Sequence, residues 1–165
     1  IMDLVEAMRI IEDESVKLLL LTSLENGSAE YEKQIKTFVS DNDLTDRIRI
    51  VADRENFKTM PRVLKNCDMC VLPSHVEGLG ISLLEGMAAG IPVVGSDTSG
   101  IREVIRDGVN GLLSKPKSPQ DLANKIVSIR RDRKLSNALV AGGRQSVLSQ
   151  FSLKRQLEEL EHIYQ

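Results

Sequence analysis

The sequence contains no tryptophan, and aromatic residues of all kinds make up only 3% of its 165 residues. A protein that binds single strands by stacking bases on aromatic side chains needs more of them than this. An excess of either sign of charge is also missing. The sequence has 22 lysine and arginine residues and 24 aspartate and glutamate residues, which give a net charge of −2. A basic face for nucleic acid or for an acidic membrane would need an excess of positive charge. We therefore expect no nucleic-acid partner.

Long hydrophobic runs are absent as well. The run Leu18–Leu21 is far shorter than the roughly 20 residues that cross a bilayer. The start, IMDLVEAMRI, has the spacing of an amphipathic helix and lacks the basic start and apolar centre of a signal peptide. We expect a cytoplasmic protein with no membrane span, which as a full-length protein could bind a membrane peripherally. Because the first residue is Ile1 and not methionine, we also expect a piece of a longer chain.

Cysteine is scarce, and both cysteines lie in the segment Cys67-Asp-Met-Cys70. A thioredoxin-like pair needs its first cysteine at a helix N-terminus, whereas this pair falls at a helix end and the start of an apolar strand. A zinc site needs a second pair of ligands, which the sequence does not supply. We predict reduced, buried or half-buried thiols and a reducing compartment.

What is present is an alternation of helical and strand patterns over a chain long enough for one domain with a core. Because the strands are apolar on both faces, they predict an α/β, Rossmann-like doubly wound parallel sheet in a single domain, residues 1–165. Predicted strands are Val16–Thr22, Ile48–Val51, Met69–Leu72, Pro92–Gly95 and Gly111–Leu113. Predicted helices are Asp3–Ile11, Ala29–Val39, Pro61–Asn66, Ser82–Ala89, Ile101–Ile105, Pro119–Arg130, Asp132–Leu148 and Leu153–Tyr164.

Three local signals refine the helix predictions. Ser118 and Ser152 are predicted N-caps, Gly90 is a predicted left-handed stop, and Gly142–Gly143 suggests a kink.

The most patterned stretch is HVEGLGISLLEGMAAGIPVVGSD, residues 75–97. It begins just beyond a predicted strand, at the edge where doubly wound folds bind ligands. Gly78 and Gly80 allow the backbone to approach a ligand, and the N-terminus of the following helix suits a phosphate or pyrophosphate. Glu77 and Glu85 would repel phosphate, but each carboxylate can accept two hydrogen bonds from a diol. A nucleoside diphosphate sugar fits this pattern, with Glu77 on the sugar and Glu85 on the ribose.

A purely structural interpretation fits the same residues. Ser82-Leu-Leu-Glu85 matches a capping box, in which the glutamate closes its own helix, and the glycines could be ordinary turn residues. The spacing alone leaves both interpretations open.

The segment Leu72–Leu113 resembles the donor-binding motif of the group-1 (family 4-like) retaining glycosyltransferases of GT-B fold. The resemblance covers essentially the whole chain as the C-terminal donor-binding half, with residues 152–165 as the closing helix. The matching residues are Pro73, Ser74, Glu77, Gly78, Gly80, Glu85, Gly90, Pro92, Val93, Val94, Glu103, Asp107, Gly108 and Gly111.

The resemblance implies roles for these residues. Glu77 would be catalytic and contact the donor sugar, and Glu85 would hold the ribose. The site would also include Gly78, the distal phosphate would meet the backbone amides of Gly80, Ile81 and Ser82, and Pro73 and Arg54 would lie near the base. His75 occupies a variable slot of the motif, so we expect an ordinary loop side chain there. No metal or other cofactor is expected.

The implied activity is transfer of a sugar, with retention, from a nucleotide-diphosphate sugar to an acceptor sugar or lipid-linked glycan, in cell-surface polysaccharide or glycolipid biosynthesis. The family's N-terminal acceptor domain, its first strand and an upstream Arg and Lys are not in this sequence, so the isolated chain should be inactive. In the family a glycine often stands where Ser99 is found. Alternatives are a nucleotide-sugar epimerase of related architecture and a non-catalytic nucleotide-binding or scaffold module.

The missing strand has a consequence for the sheet. In the strand order 3-2-1-4-5-6 the first strand is central. Without it, Val16–Thr22 should pair directly with Met69–Leu72, or a gap or borrowed strand should separate them.

Overall fold

The computed structural model describes residues 1–22, 29–52 and 60–164. The elements predicted from the sequence are all found, in the predicted order, with ends shifted by one or two residues. The strands are β1 (Leu18–Thr22), β2 (Ile48–Ala52), β3 (Cys70–Leu72), β4 (Val93–Ser96) and β5 (Leu112–Ser114). The helices are α1 (Met2–Ile10), α2 (Ala29–Asp41), α3 (Met60–Leu64), α4 (Ile81–Ala89), α5 (Ser99–Val104), α6 (Pro119–Arg131), α7 (Arg133–Gln150) and α8 (Leu153–Ile163).

All described strand pairs are parallel, as predicted, but they form two sheets. β1 pairs with β2, with Leu20 opposite Ile50. The other sheet has the order β3-β4-β5, with Val71 opposite Val94. β1 and β3 do not pair, so the direct pairing that was one of the predicted arrangements is not found among the described strands.

Two hydrophobic clusters hold the helices on the sheets. The larger cluster joins α1, α2, α6 and both sheets, and it includes Leu4, Met8, Leu20, Val94 and Ile126. The smaller cluster fixes α4 and α5 against β4, and its members are Leu83, Met87, Val93, Ile101, Val104 and Ile105. Full burial of one such side chain stabilises the fold by about 1.5–3 kcal/mol. The smaller cluster therefore determines where the N-terminus of α4 lies.

The second half of the sequence motif builds a turn between α5 and β5. Asp107 accepts a hydrogen bond from the Leu113 N–H at 2.8 Å, and Gly108 adopts φ +74°. The buried amide of Asn110 donates to the carbonyl oxygen of Val104 and to Ser146 Oγ, both at 2.9 Å. These contacts join α5 to α7, so this part of the motif has a structural function.

The predicted N-caps Ser118 and Ser152 are confirmed, and the side chains accept from the N–H groups of Asp121 and Arg155. Gly90 ends α4 with φ +80°, as predicted. Among the helices that the structure describes, none combines the length and apolarity that crossing a membrane requires.

α7 runs without interruption through Gly142–Gly143, where the sequence predicted a kink. These residues are small because the turn after α5 crosses α7 here. A Cβ at Gly142 would lie 2.1 Å from the carbonyl oxygen of Val109, and one at Gly143 would lie 3.0 Å from Met87 Cγ.

The close approach at Gly142 predicts whether an alanine there raises or lowers the free energy of unfolding. At an unobstructed helix position, replacing glycine with alanine stabilises a protein by about 1 kcal/mol. Gly142→Ala should instead lower the free energy of unfolding by about 1–3 kcal/mol, because the new methyl group meets backbone atoms. Urea denaturation of the two proteins measures the difference, and a more stable variant would contradict the crossing.

Candidate functional site

The site loop, residues 73–80, connects the carboxyl end of β3 to α4. Pro73 and Gly80 at its two ends are buried, whereas Val76 is 91% exposed and Gly78 is also exposed. A short loop with buried ends and an exposed centre is held by the core and open to a ligand. Its place at the carboxyl edge of the sheet is the one predicted from the sequence.

The N-terminus of α4 is open. Gly80 is the N-cap residue with φ +73°, a left-handed conformation that favours glycine, and no side chain caps the helix. Leu83 N–H is bonded to the Gly80 carbonyl oxygen at 2.9 Å. Ile81 and Ser82 are exposed, and the first N–H groups of a helix have no partner within it. These amides and the positive end of the helix dipole can bind an anion.

The capping-box interpretation of Ser82 and Glu85 is wrong. A capping box requires its serine at the N-cap, but Gly80 occupies that position and Ser82 lies inside the helix. Glu85 is exposed on α4, one turn beyond the open N-terminus. Its carboxylate is therefore not used to close its own helix.

The carboxylate of Glu77 is half-buried and oriented by the loop itself. Oε2 accepts a hydrogen bond from Ser74 Oγ at 3.2 Å, and Oε1 accepts one from the Gly78 N–H at 3.1 Å. Each carboxylate oxygen can accept a second hydrogen bond. Glu77 is thus fixed and can still bind ligand hydroxyls.

Backbone from α5 supports the loop at its centre. A Cβ added to the buried residue Gly100 would lie 2.2 Å from the carbonyl oxygens of both Glu77 and Gly78. Ser99, which stands where the family often has a glycine, is exposed, and the role of Gly100 was not predicted from the sequence. The available signal was a glycine at the start of a helix, a few residues after a buried strand.

Beyond the carboxyl end of β4, an arginine of α5 is paired with a carboxylate. Asp97 follows β4, and its carboxylate accepts hydrogen bonds from Nε and Nη2 of Arg102. These bonds lower the pKa of Asp97 and raise that of Arg102. The positive charge of Arg102 is thereby balanced. Arg54, predicted to lie near a base, falls outside the described residues.

The two cysteines are free, as predicted. Cys70 lies behind α4, with its thiol 3.5 Å from the carbonyl oxygen of Ser82. Burial, with smaller contributions from Cys67 and Glu85, raises the pKa of Cys70 to about 12. The thiol is protonated at neutral pH and contributes packing, since a Cβ at Gly86 would approach Cys70 Cβ to 2.9 Å. In the described part of the chain, no cluster of three or more His, Cys, Asp or Glu side chains could hold a metal ion.

A family model described as glycosyl transferases group 1 matches residues 1–146. The chain belongs to this family. The amylovoran biosynthesis glycosyltransferase of Erwinia amylovora is 32% identical over 143 residues, which are 81% of this chain and 35% of that protein. The chain thus spans about a third of the length of curated relatives that it matches, 33% and 35% for two of them.

Solved structures share the fold of this chain, and one of them is from a group 1 family protein. The C-terminal domain of LpcC from Francisella tularensis gives a TM-score of 0.84 at 24% identity, covering 92% of this chain and 78% of that domain. HepE from Anabaena, solved with UDP and glucose, gives a TM-score of 0.90 at 23% identity. The match covers 99% of this chain and 44% of the HepE chain. The fold is therefore that of the C-terminal half of a GT-B glycosyltransferase, as the sequence resemblance implied.

The close approach at Gly100 can be tested by stability. Gly100→Ala should lower the free energy of unfolding by about 1–3 kcal/mol, because the methyl group would displace the site loop. Gly78→Ala in the same loop is the matched control, because a Cβ there meets nothing within 4 Å. Thermal unfolding should separate the two variants, and equal stabilities would remove the supporting role of Gly100.

Proposed function

We propose that this chain is the donor-binding domain of a retaining glycosyltransferase that transfers a sugar from a nucleotide-diphosphate sugar to an acceptor. The observation that carries the proposal is the open N-terminus of α4, with Glu77 before it and Glu85 one turn inside it. Anion-binding amides between two carboxylates suit a ligand with a diphosphate in the middle and hydroxyls on both sides.

The diphosphate is assigned to the start of α4. The amides of Gly80, Ile81 and Ser82 would hydrogen-bond its distal phosphate. When the bond between the anomeric carbon and the diphosphate oxygen breaks, the electron pair stays on that oxygen and negative charge grows there. A helix N-terminus stabilises such charge without reorganising. No metal ion is needed for this step in our proposal.

The glutamates are assigned to the two sugars of the donor. Glu77 would hold hydroxyls of the transferred sugar and Glu85 those of the ribose, because ionised carboxylates accept hydrogen bonds from vicinal hydroxyls. Gly78 and Pro73 shape the same loop, and Arg54 would lie near the base. The Anabaena neighbour was solved with UDP and glucose, which supports a nucleotide sugar as ligand.

The rest of the enzyme would come from a longer protein. We assign the acceptor site to an N-terminal domain, and a preceding strand to the gap between β1 and β3. Such a domain would also cover the apolar face of α8, where Leu153, Leu157, Leu160 and Tyr164 are 71%, 51%, 49% and 86% exposed. The Erwinia relative acts in amylovoran biosynthesis by its name, which supports an acceptor in cell-surface polysaccharide or glycolipid biosynthesis. We place the protein in the cytoplasm.

Nucleotide binding tests the role of Glu85. Titration calorimetry of UDP, GDP and ADP into the full-length protein should find one that binds. Glu85→Ala should weaken its binding about tenfold or more, because a hydrogen bond to a charged group contributes about 1.5–3 kcal/mol. Glu158→Ala, at an exposed carboxylate on α8, is the matched control. Unchanged affinity in Glu85→Ala would remove the ribose role.

Product analysis tests the reaction. Incubation of the full-length protein with donor and acceptor should give a new glycosidic bond with the anomeric configuration of the donor, as read by NMR. An epimerised donor would identify an epimerase instead, and tight donor binding without any product would identify a binding module.

A further inference from the structure

The side chain of His75 connects the site loop to α1. Its Nε2 lies 2.8 Å from Oδ2 of Asp3, a residue 72 positions away in the sequence. A carboxylate can only accept, so the imidazole donates from Nε2, whether it is neutral or charged. An ordinary loop side chain was expected here, because His75 occupies a variable slot of the family motif.

The two partners of this contact differ in exposure. The side chain of Asp3 is only 17% exposed, and that of His75 is 44% exposed. Asp3 lies in the first turn of α1, and the next residues, Leu4 and Val5, are buried in the larger hydrophobic cluster. The acceptor carboxylate of Asp3 is therefore part of a helix that is held by the core.

His75 lies between the two residues whose contact orients the site carboxylate. Ser74 precedes it, Glu77 follows two positions later, and Ser74 Oγ donates to Glu77 Oε2. Gly100 supports the loop on one side, at the backbone of Glu77 and Gly78. The contact with Asp3 is a second point of attachment, to a helix that precedes β1, whereas the loop follows β3. A loop held at two points keeps the carboxylate in one place.

We propose that His75 is a positioning residue that holds Glu77 in its sugar-binding orientation through the hydrogen bond to Asp3. This inference rests on the proposed role of Glu77 in binding the donor sugar. Because His75 acts on Glu77 and not on the start of α4, its loss should weaken binding of the sugar part of the donor and leave binding of the diphosphate intact.

The test is calorimetry on the full-length protein with UDP-glucose, GDP-mannose and ADP-glucose, each paired with its nucleoside diphosphate. For the pair of ligands that binds, His75→Ala should weaken binding of the nucleotide sugar about two- to fivefold, the range of a partly exposed side-chain pair, and leave binding of the nucleoside diphosphate unchanged. Asp3→Ala should have the same effect, and the double variant should be no worse than either single variant. His75→Gln should recover most of the affinity, because its side-chain amide can donate from a similar position. His162→Ala, at the chain's other histidine, is the matched control.

The Glu77→Ala background separates positioning from general stability. If His75 acts through Glu77, adding His75→Ala to Glu77→Ala should cause no further loss of nucleotide-sugar affinity. An additive loss, an equal loss for the nucleoside diphosphate, or no loss in His75→Ala would overturn the positioning role. If Glu77→Ala itself binds the nucleotide sugar as well as the wild-type protein does, the sugar role of Glu77 fails, and the inference fails with it.

Discussion

The open N-terminus of α4 is the feature on which the rest of the site depends. A helix leaves its first amides without internal partners, and a capping side chain is a common partner for them. Here the N-cap is Gly80, which has no side chain to offer. The helix is kept in place by burial of Leu83 and Met87 instead. Stability from the core thus allows the helix end to remain available for a ligand.

Close backbone contacts position the elements around that helix end. Gly100 lets α5 touch the site loop, and Gly142 lets α7 touch the turn that follows α5. In both places a single methyl group would meet a carbonyl oxygen. These backbone contacts link the site loop to α7 by way of α5. The buried side-chain amide of Asn110 adds a second link, because it connects the end of α5 to Ser146.

Local patterns in the sequence were enough to predict the elements and the place of the site. The apolar runs predicted the strands, Gly90 predicted the end of α4, and the glycine-rich loop predicted the edge of the sheet at which the candidate site lies. The contacts of Gly100, Gly142 and His75 could not be predicted, because each depends on a residue that is close in space and far away in sequence. The capping-box pattern at Ser82 was misleading for a related reason, since the position of the helix start is set by the loop and core and not by one matching spacing.

The most direct test of the account is a crystal structure of the full-length protein with the nucleoside diphosphate that binds it. Oxygens of the diphosphate should lie about 2.7–3.2 Å from the backbone nitrogens of Ile81 and Ser82, the distance of a hydrogen bond. A diphosphate bound elsewhere on the protein, with the start of α4 left in contact with water, would contradict it.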